Sequence, residues 1–424
     1  MELNLPIIDI VLSISSAIDL IDPIITNHHK RVAYISYSIA KEMNLSDKQI
    51  KDLVLASLLH DCGSVNLSER KSIYEFGFKC PILQSHAHGN KGWYILRDSA
   101  DLHDAAEIIR FHHVYWEQRS ENHLQSYDIP IASYILHLAD RVDILINRNL
   151  DILSQRRYIE DILIYHSGTM FMPQVVEAFN NLFSKQYFWF DIISPYLDNI
   201  LKKAIIPFNV NINGSNLHQY AIIIQRIIDF RSSYTATNSI SVATCARLLA
   251  SKLGFSESDT QIIHSAGLIH DFGMLSVPEE ILEKPGTLDL TEYNTIKSHT
   301  YHTYRLLDSI PGLEKIRDWA SFHHEKLDGT GYPFGLKSDQ LDLGSRILAV
   351  SDLFISLTED RSYRSALSIY TAMEIINNAK NLDSDVKICL SNNLEEIVQE
   401  IKISKDEVYK NYEEILNLPQ YINS

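Results

Sequence analysis

The chain of 424 residues has only four cysteines, Cys62, Cys80, Cys245 and Cys389, and no two of them form a CxxC pair. Neither a disulfide framework nor a thiolate zinc site is indicated, and buried free thiols in a reducing compartment are expected. Long hydrophobic runs are missing as well. None reaches the ~18 apolar residues of a membrane span, and no basic segment followed by an apolar one opens the chain, so the expectation is a cytoplasmic protein with no membrane contact. Positive charge is scarce: 38 Lys and Arg face 54 Asp and Glu, for a formal net charge of −16. Coating a nucleic-acid polymer requires many cations against the phosphates, so that partner is excluded, whereas a small anion held by a few local cations or metal ions is not. Strand-type alternation bounded by turn residues is also rare.

Helical patterning is plentiful. Apolar residues recur at helical spacing in "RVAYISYSIAKEMNL" (31–45) and "SVATCARLLASKLGF" (241–255), and each run is followed by a fresh N-cap signal, Ser46-Asp47 and Ser256-Glu257-Ser258. The fold class is all-α. The length suits two domains of about 200 residues each.

The two domains are copies. "LASLLHDCG" around His60-Asp61 matches "HSAGLIHDFG" around His270-Asp271, and "ILHLADRVDIL" around Asp140 matches "ILAVSDLFISL" around Asp352. The spacing holds too: 28 to 60 and 238 to 270 are both 32 positions, and 88 to 112 and 299 to 323 are both 24. The remaining intervals differ by one, 60 to 88 (28) against 270 to 299 (29), and 113 to 140 (27) against 324 to 352 (28). A repeat kept in step at this many points is a duplicated domain. We place the first copy at residues 1–205, a linker at 206–216 around Pro207 and Gly214, and the second copy with a helical C-terminal extension at 217–424.

Nearly every landmark is a His or an Asp. Imidazole and carboxylate together suit borderline divalent ions such as Fe, Mn, Zn or Ni better than Mg or Ca, which favour all-oxygen sets. The ligands are too numerous for one ion of ordinary coordination, and a carboxylate beside a histidine can bridge two. A two-metal centre, able to clamp the attacking and leaving oxygens of a phosphate ester, follows. The neighbours His29 and His86 could replace His28 and His88, and the repeat register favours the latter pair.

The series "HDFG…KPG…H…FHHEKLDGTGYPFGLK…ILAVSD…RSYR" resembles the HD-GYP family, a branch of the HD-domain metal-dependent phosphohydrolases, over about residues 232–367. Residues 20–150 resemble an HD domain of the same lineage without the Gly-Tyr-Pro loop, and the tandem order is similar to bacterial phosphodiesterases that cleave cyclic GMP-AMP. The resemblance implies hydrolysis of a cyclic dinucleotide, cyclic GMP-AMP or cyclic di-GMP, to a linear product by in-line attack of a hydroxide bridging two divalent ions per active domain, most readily Fe or Mn. It puts His270, Asp271, His299, His323, His324 and Asp352 at metal-ligand positions, Asp271 as the bridge. Arg361 and Arg364 fall where substrate phosphate is held, and Gly331, Tyr332 and Pro333 shape the pocket. In the first copy His28, His60, Asp61, His88, His112, His113 and Asp140 fill the corresponding ligand positions, with Asp61 as bridge.

The second copy departs from the family at two points. Asn238 stands where the family has its first histidine, and Met274 where it has the lysine of HDxGK. The first copy has Ser64 at the lysine position and "HHVYWEQRSENH" in place of the loop. A cyclic-dinucleotide phosphodiesterase is therefore set beside two other readings: a nucleotide phosphohydrolase run by the first copy, and a non-catalytic cyclic-dinucleotide receptor, which Asn238 and Met274 would favour. The apolar stretch "QYFWFDIISPYL" (186–197) suits either packing or a homodimer surface.

Overall fold

The computed structural model describes residues 5–22, 26–64, 82–120, 124–205, 211–212, 214–231, 237–362 and 364–416. The chain divides between Val210 and Asn211 into two compact units. A helix starts just beyond this division, at Gly214–Asp229. Among the described residues strand is confined to two short pieces, Leu5–Pro6 and Asn211–Ile212, and nearly all the rest of the regular structure is helical. None of these helices is long and apolar enough to cross a membrane.

Each unit is organised around one buried helix, His28–Glu42 in the first and Asn238–Lys252 in the second. Their local determinants repeat. Asn44 (φ 54°) and Gly254 (φ +86°) take the left-handed conformation that closes a helix C-terminus. The next amide in each case, Leu45 or Phe255, donates back to Ala40 or Ala250 at 3.1 and 3.0 Å. The following helices start where the sequence signals them: Ser46 forms a capping box with Gln49, and the Ser256 hydroxyl accepts from the Asp259 amide.

Packing around the central helices is close. In the first unit Val32, Ala33, Ile35 and Ile39 are fully buried against the helices Asp47–Leu59, Ile131–Leu145 and Pro173–Phe183. In the second, Val242, Ala243, Ala246 and Leu249 are buried against Glu257–Ile269, Leu343–Thr358 and Leu394–Leu416. A Cβ on Gly267 would lie 2.6 Å from the Ala243 Cα, so only glycine allows this helix pair to approach so closely. Each buried Ile or Leu in such a layer contributes roughly 1.5–3 kcal/mol. The "QYFWFDIISPYL" stretch splits by face: Phe188, Trp189 and Ile192 enter the first unit's core, while Tyr187, Phe190, Ile193 and Tyr196 are exposed. Cys62, Cys245 and Cys389 are buried, and Cys80 lies outside the described residues.

Candidate metal centres

Five elements of each unit carry the expected ligands. His28 and Asn238 are the first residues of the central helices. His60-Asp61 and His270-Asp271 follow directly on the helices Asp47–Leu59 and Glu257–Ile269. His88 and His299 project from the helices Ile82–Leu96 and Leu290–Asp308. His112-His113 and His323-His324 lie just beyond the short helices His103–Arg110 and Glu314–Ser321, while Asp140 and Asp352 sit within Ile131–Leu145 and Leu343–Thr358. The glycine of each HDxG turn has a steric task. A Cβ on Gly63 would lie 2.2 Å from the His88 carbonyl oxygen, and one on Gly273 would lie 2.0 Å from that of His299. Glycine thus presses the His-Asp turn against the helix bearing the third histidine.

The rings are held by backbone carbonyls. Nδ1 of His60, His270, His299 and His323 lies 2.9, 2.8, 2.6 and 2.7 Å from the carbonyl oxygen three residues earlier. A proton on Nδ1 fills each of these bonds and turns Nε2 inward, which is how a ligating histidine is oriented. The inward nitrogens crowd together. His88 Nε2 is 3.3 Å from His112 Nε2 and 3.0 Å from His113 Nε2, and His299 Nε2 is 3.2 Å from His323 Nε2. The two acids expected to bridge are equally near: Asp271 Oδ1 is 3.3 Å from His299 Nε2 and Oδ2 is 3.3 Å from His270 Nε2, while Asp61 Oδ1 is 3.5 Å from His88 Nε2.

These donor atoms form four groups tight enough for a cation: His28, His60 and Asp61; His88, His112 and His113; His270, Asp271 and His323; and His299, His323 and His324. Each copy contributes two of these groups, and the inward Nε2 atom of His270, 3.3 Å from Asp271 Oδ2, is placed for a cation shared with that carboxylate. Burial pushes His88, His112, His113, His323 and His324 below their ordinary pKa, so they are neutral and ready to ligate. Asp61 and Asp271 stay ionised: burial alone would raise them, but the adjacent histidines hold both well below the usual carboxylate range.

Beyond the ligands the two copies differ. In the first centre the side chains of His28, His60, Asp61, His88 and Asp140 are at most 3% exposed. Arg141, itself buried, donates from Nε and Nη2 to Asp140 Oδ2 at 3.1 and 2.7 Å. In the second centre the Asp271, Asp352 and His324 side chains are 14%, 13% and 27% exposed and face a cleft of about 420 Å³. At the position of Arg141 the second copy has Leu353, which lines the cleft.

Of the expected substrate residues, Tyr332 and Arg361 line this cleft. The Tyr332 ring packs 4.9 Å from His324, and its amide donates to the His324 carbonyl. Arg364 is placed otherwise. Its guanidinium donates to the backbone carbonyls of Ser356, Leu357 and Ser365, so it shapes the loop instead of facing the cleft. Gly331 acts through backbone proximity, with a would-be Cβ 2.4 Å from the Glu325 Cα. At Asn238, Nδ2 donates to Glu359 Oε2 at 3.4 Å and Oδ1 is left buried without a hydrogen-bond partner. The side chain of His86 lies outside the described residues.

Several residues escaped the sequence reading. Lys326 lines the cleft with Met274 and supplies a cation that the methionine lacks. Glu325 is buried and accepts three backbone N–H groups, from Phe334, Gly335 and Leu336, at 2.7, 3.1 and 2.9 Å. Asp143 accepts from the Arg31 guanidinium and pairs with His28 Nδ1 at 2.7 Å. The repeat gave no signal for it, since Asp143 stands three residues after Asp140 whereas Ile355 stands three after Asp352.

The HD-domain profile matches residues 25–145 and a second HD-domain profile residues 223–386. The chain is 30% identical over 388 residues to the 3′3′-cGAMP-specific phosphodiesterase 1 of Vibrio cholerae, covering 88% of each chain. It is 26% identical over 423 residues to phosphodiesterase 3 of the same organism and specificity, covering 88% of this chain and 90% of that one. In fold it resembles the crystal structure of a cyclic GMP-AMP-specific phosphodiesterase from V. cholerae, with a TM-score of 0.66 at 22% identity over 93% of this chain and 98% of that one. With its two matched domains, its repeated ligand clusters and its Gly-Tyr-Pro loop in the second copy alone, the chain belongs to the HD-GYP branch of the HD-domain family, in the tandem form of these phosphodiesterases.

Proposed function

We propose that this chain is a phosphodiesterase that opens a cyclic dinucleotide, 3′3′-cyclic GMP-AMP before cyclic di-GMP, in the cleft of its second copy. The observation that carries this reading is the asymmetry of the centres. Catalytic metal sites keep a position open to water and substrate, whereas closed sites are structural. Among the described residues it is the second centre that joins partly exposed ligands to a cleft with cationic and aromatic walls. The preference for cyclic GMP-AMP rests on the relatives that match both halves, which carry that specificity in their names.

His270, Asp271, His299, His323, His324 and Asp352, joined by the Asn238 amide oxygen, would hold two divalent ions, with Fe or Mn suited to this nitrogen and carboxylate set. Ions bound there supply Lewis acidity and bring the pKa of water from ~15.7 toward ~7. The protein's own groups do the rest. Lys326 and Arg361 face a phosphate in the cleft and offset charge on its non-bridging oxygens. Tyr332, fixed against His324, offers a ring face to a base. Asn238 does not by itself make the chain a receptor, because its oxygen is unspent and an amide oxygen can ligate. In the first copy the described ligand side chains are buried, and we assign that centre a supporting role.

Hydrolysis of cyclic GMP-AMP and cyclic di-GMP by wild type, Asp61→Asn and Asp271→Asn, with Mn or Fe supplied anaerobically, tests this. Asp271→Asn should abolish turnover and Asp61→Asn should leave most of it. Loss of turnover in Asp61→Asn alone would move catalysis to the first copy, and tight binding with no turnover in wild type would make the chain a receptor.

A further inference from the structure

The central helix of the first copy starts with two imidazoles in succession, His28 and His29, where the second copy has Asn238 and Ser239. His29 is fully buried. Its Nδ1 lies 2.9 Å from Asp19 Oδ1, and the other Asp19 oxygen accepts the Asn27 amide at 2.8 Å. A carboxylate tied to one ring nitrogen fixes the proton there and leaves the opposite lone pair free, the device that commonly sits behind a ligating histidine. The free atom, Nε2, has no hydrogen-bond partner and lies 3.6 Å from Asp61 Oδ2. That is too long for a hydrogen bond, yet it is close enough for both atoms to reach one cation between them.

The two Asp61 oxygens thus face different groups. Oδ1 lies 3.6 and 3.5 Å from the Nε2 atoms of His60 and His88, while Oδ2 looks toward His29. The second copy retains an acid at the same ten-residue offset, Asp229 before Ser239, but there the partner is a hydroxyl that donates to Asp229 at 3.3 Å. The acid has been kept and the imidazole is particular to the first copy.

We propose that His29 is an additional metal ligand of the first centre, its Nε2 and Asp61 Oδ2 gripping one divalent cation while Asp19 holds the ring. The inference rests on the reading that the first copy holds metal. Together with the burial of the side chains around it, a further imidazole makes the first copy the one that keeps its ions.

The test is metal retention by the full chain carrying His299→Ala to weaken the second centre. Metal-free protein is loaded with Mn(II) alone, desalted, and its ions per chain are counted before and after competition with a chelator. His29→Gln should lose ions that the parent keeps, while melting at the parent's temperature in the metal-free state. Asp19→Asn leaves the imidazole but unties it, and should weaken retention by roughly 10- to 100-fold, the usual effect of removing such an outer partner. This variant decides the matter should His29→Gln fail to fold. Wild-type retention in both variants would overturn the assignment of His29 and leave the metal reading intact. No retained ion in the parent would overturn both.

Discussion

Gly331 lies against the backbone of Glu325 so closely that a Cβ on it would sit 2.4 Å from both the Glu325 Cα and the Lys326 nitrogen. The same Glu325 accepts three amides from the far side of the loop. The loop is thus clamped at two points onto the residue that follows the His323-His324 pair, and Tyr332 is carried against His324 as a result. Gly331→Ala must push the loop outward, and a displacement of about 1 Å at a reacting site costs roughly 100-fold. We expect kcat/KM to fall by that order while metal content is unchanged. Glu325→Gln, which turns one acceptor into a donor facing N–H groups, should act in the same direction and also lower the melting temperature.

Lys326, Arg361 and Arg364 separate by placement. The first two line the cleft, while the third is spent on carbonyls. A hydrogen bond to a charged group contributes about 1.5–3 kcal/mol, so Lys326→Met and Arg361→Met should each reduce kcat/KM by roughly 10- to 100-fold. Arg364→Met should instead show its main effect on thermal stability. Steady-state kinetics and calorimetry on the three variants check this, and equal kinetic losses in all three would contradict the division.

The fold and the clustering of the histidines and aspartates were legible because they repeat. Duplication turns isolated histidines into a register, and caps such as Ser46 and Ser256 act on amides two or three residues away. Glu325, Asp143 and Lys326 were not legible, because their partners are set by tertiary contact. His28 and Asp143 are 115 positions apart, and nothing local in the sequence pairs them. Arg361 and Arg364 differ only in which way the loop turns each guanidinium, a distinction that composition and spacing do not encode.

Asn238→His should restore an imidazole at the head of the second unit's central helix. In the first copy His28 is steered by Asp143, whose counterpart is Ile355, but Glu359 already lies 3.4 Å from the Asn238 amide and can take that steering role. Imidazole is the better donor for borderline ions. We expect tighter Mn or Fe retention in the second copy, measured by chelator competition, and turnover that persists at lower free metal. Unchanged retention would mean that Asn238 Oδ1 does not face the ion.

The metal-free protein should respond to pH through His28 and His270. Burial alone would lower both, but the bonds of His28 to Asp140 and Asp143, and the charge and hydrogen bond of Asp271 with the charge of Asp352 on His270, outweigh it and raise each pKa to about 9. A raised folded pKa adds stability that is fully present below the unfolded value of 6.5 and is lost as pH rises through about 9. The metal-free chain should therefore melt at progressively lower temperature between these limits. Ligation requires the neutral ring, so metal must displace these protons. Loading Mn(II) at pH 7.5 should release about two protons per chain, one from each histidine, and loading well above pH 9 should release almost none from them. Proton release followed with an indicator dye in weak buffer measures this directly, and no release at pH 7.5 would show that His28 and His270 are not displaced by metal.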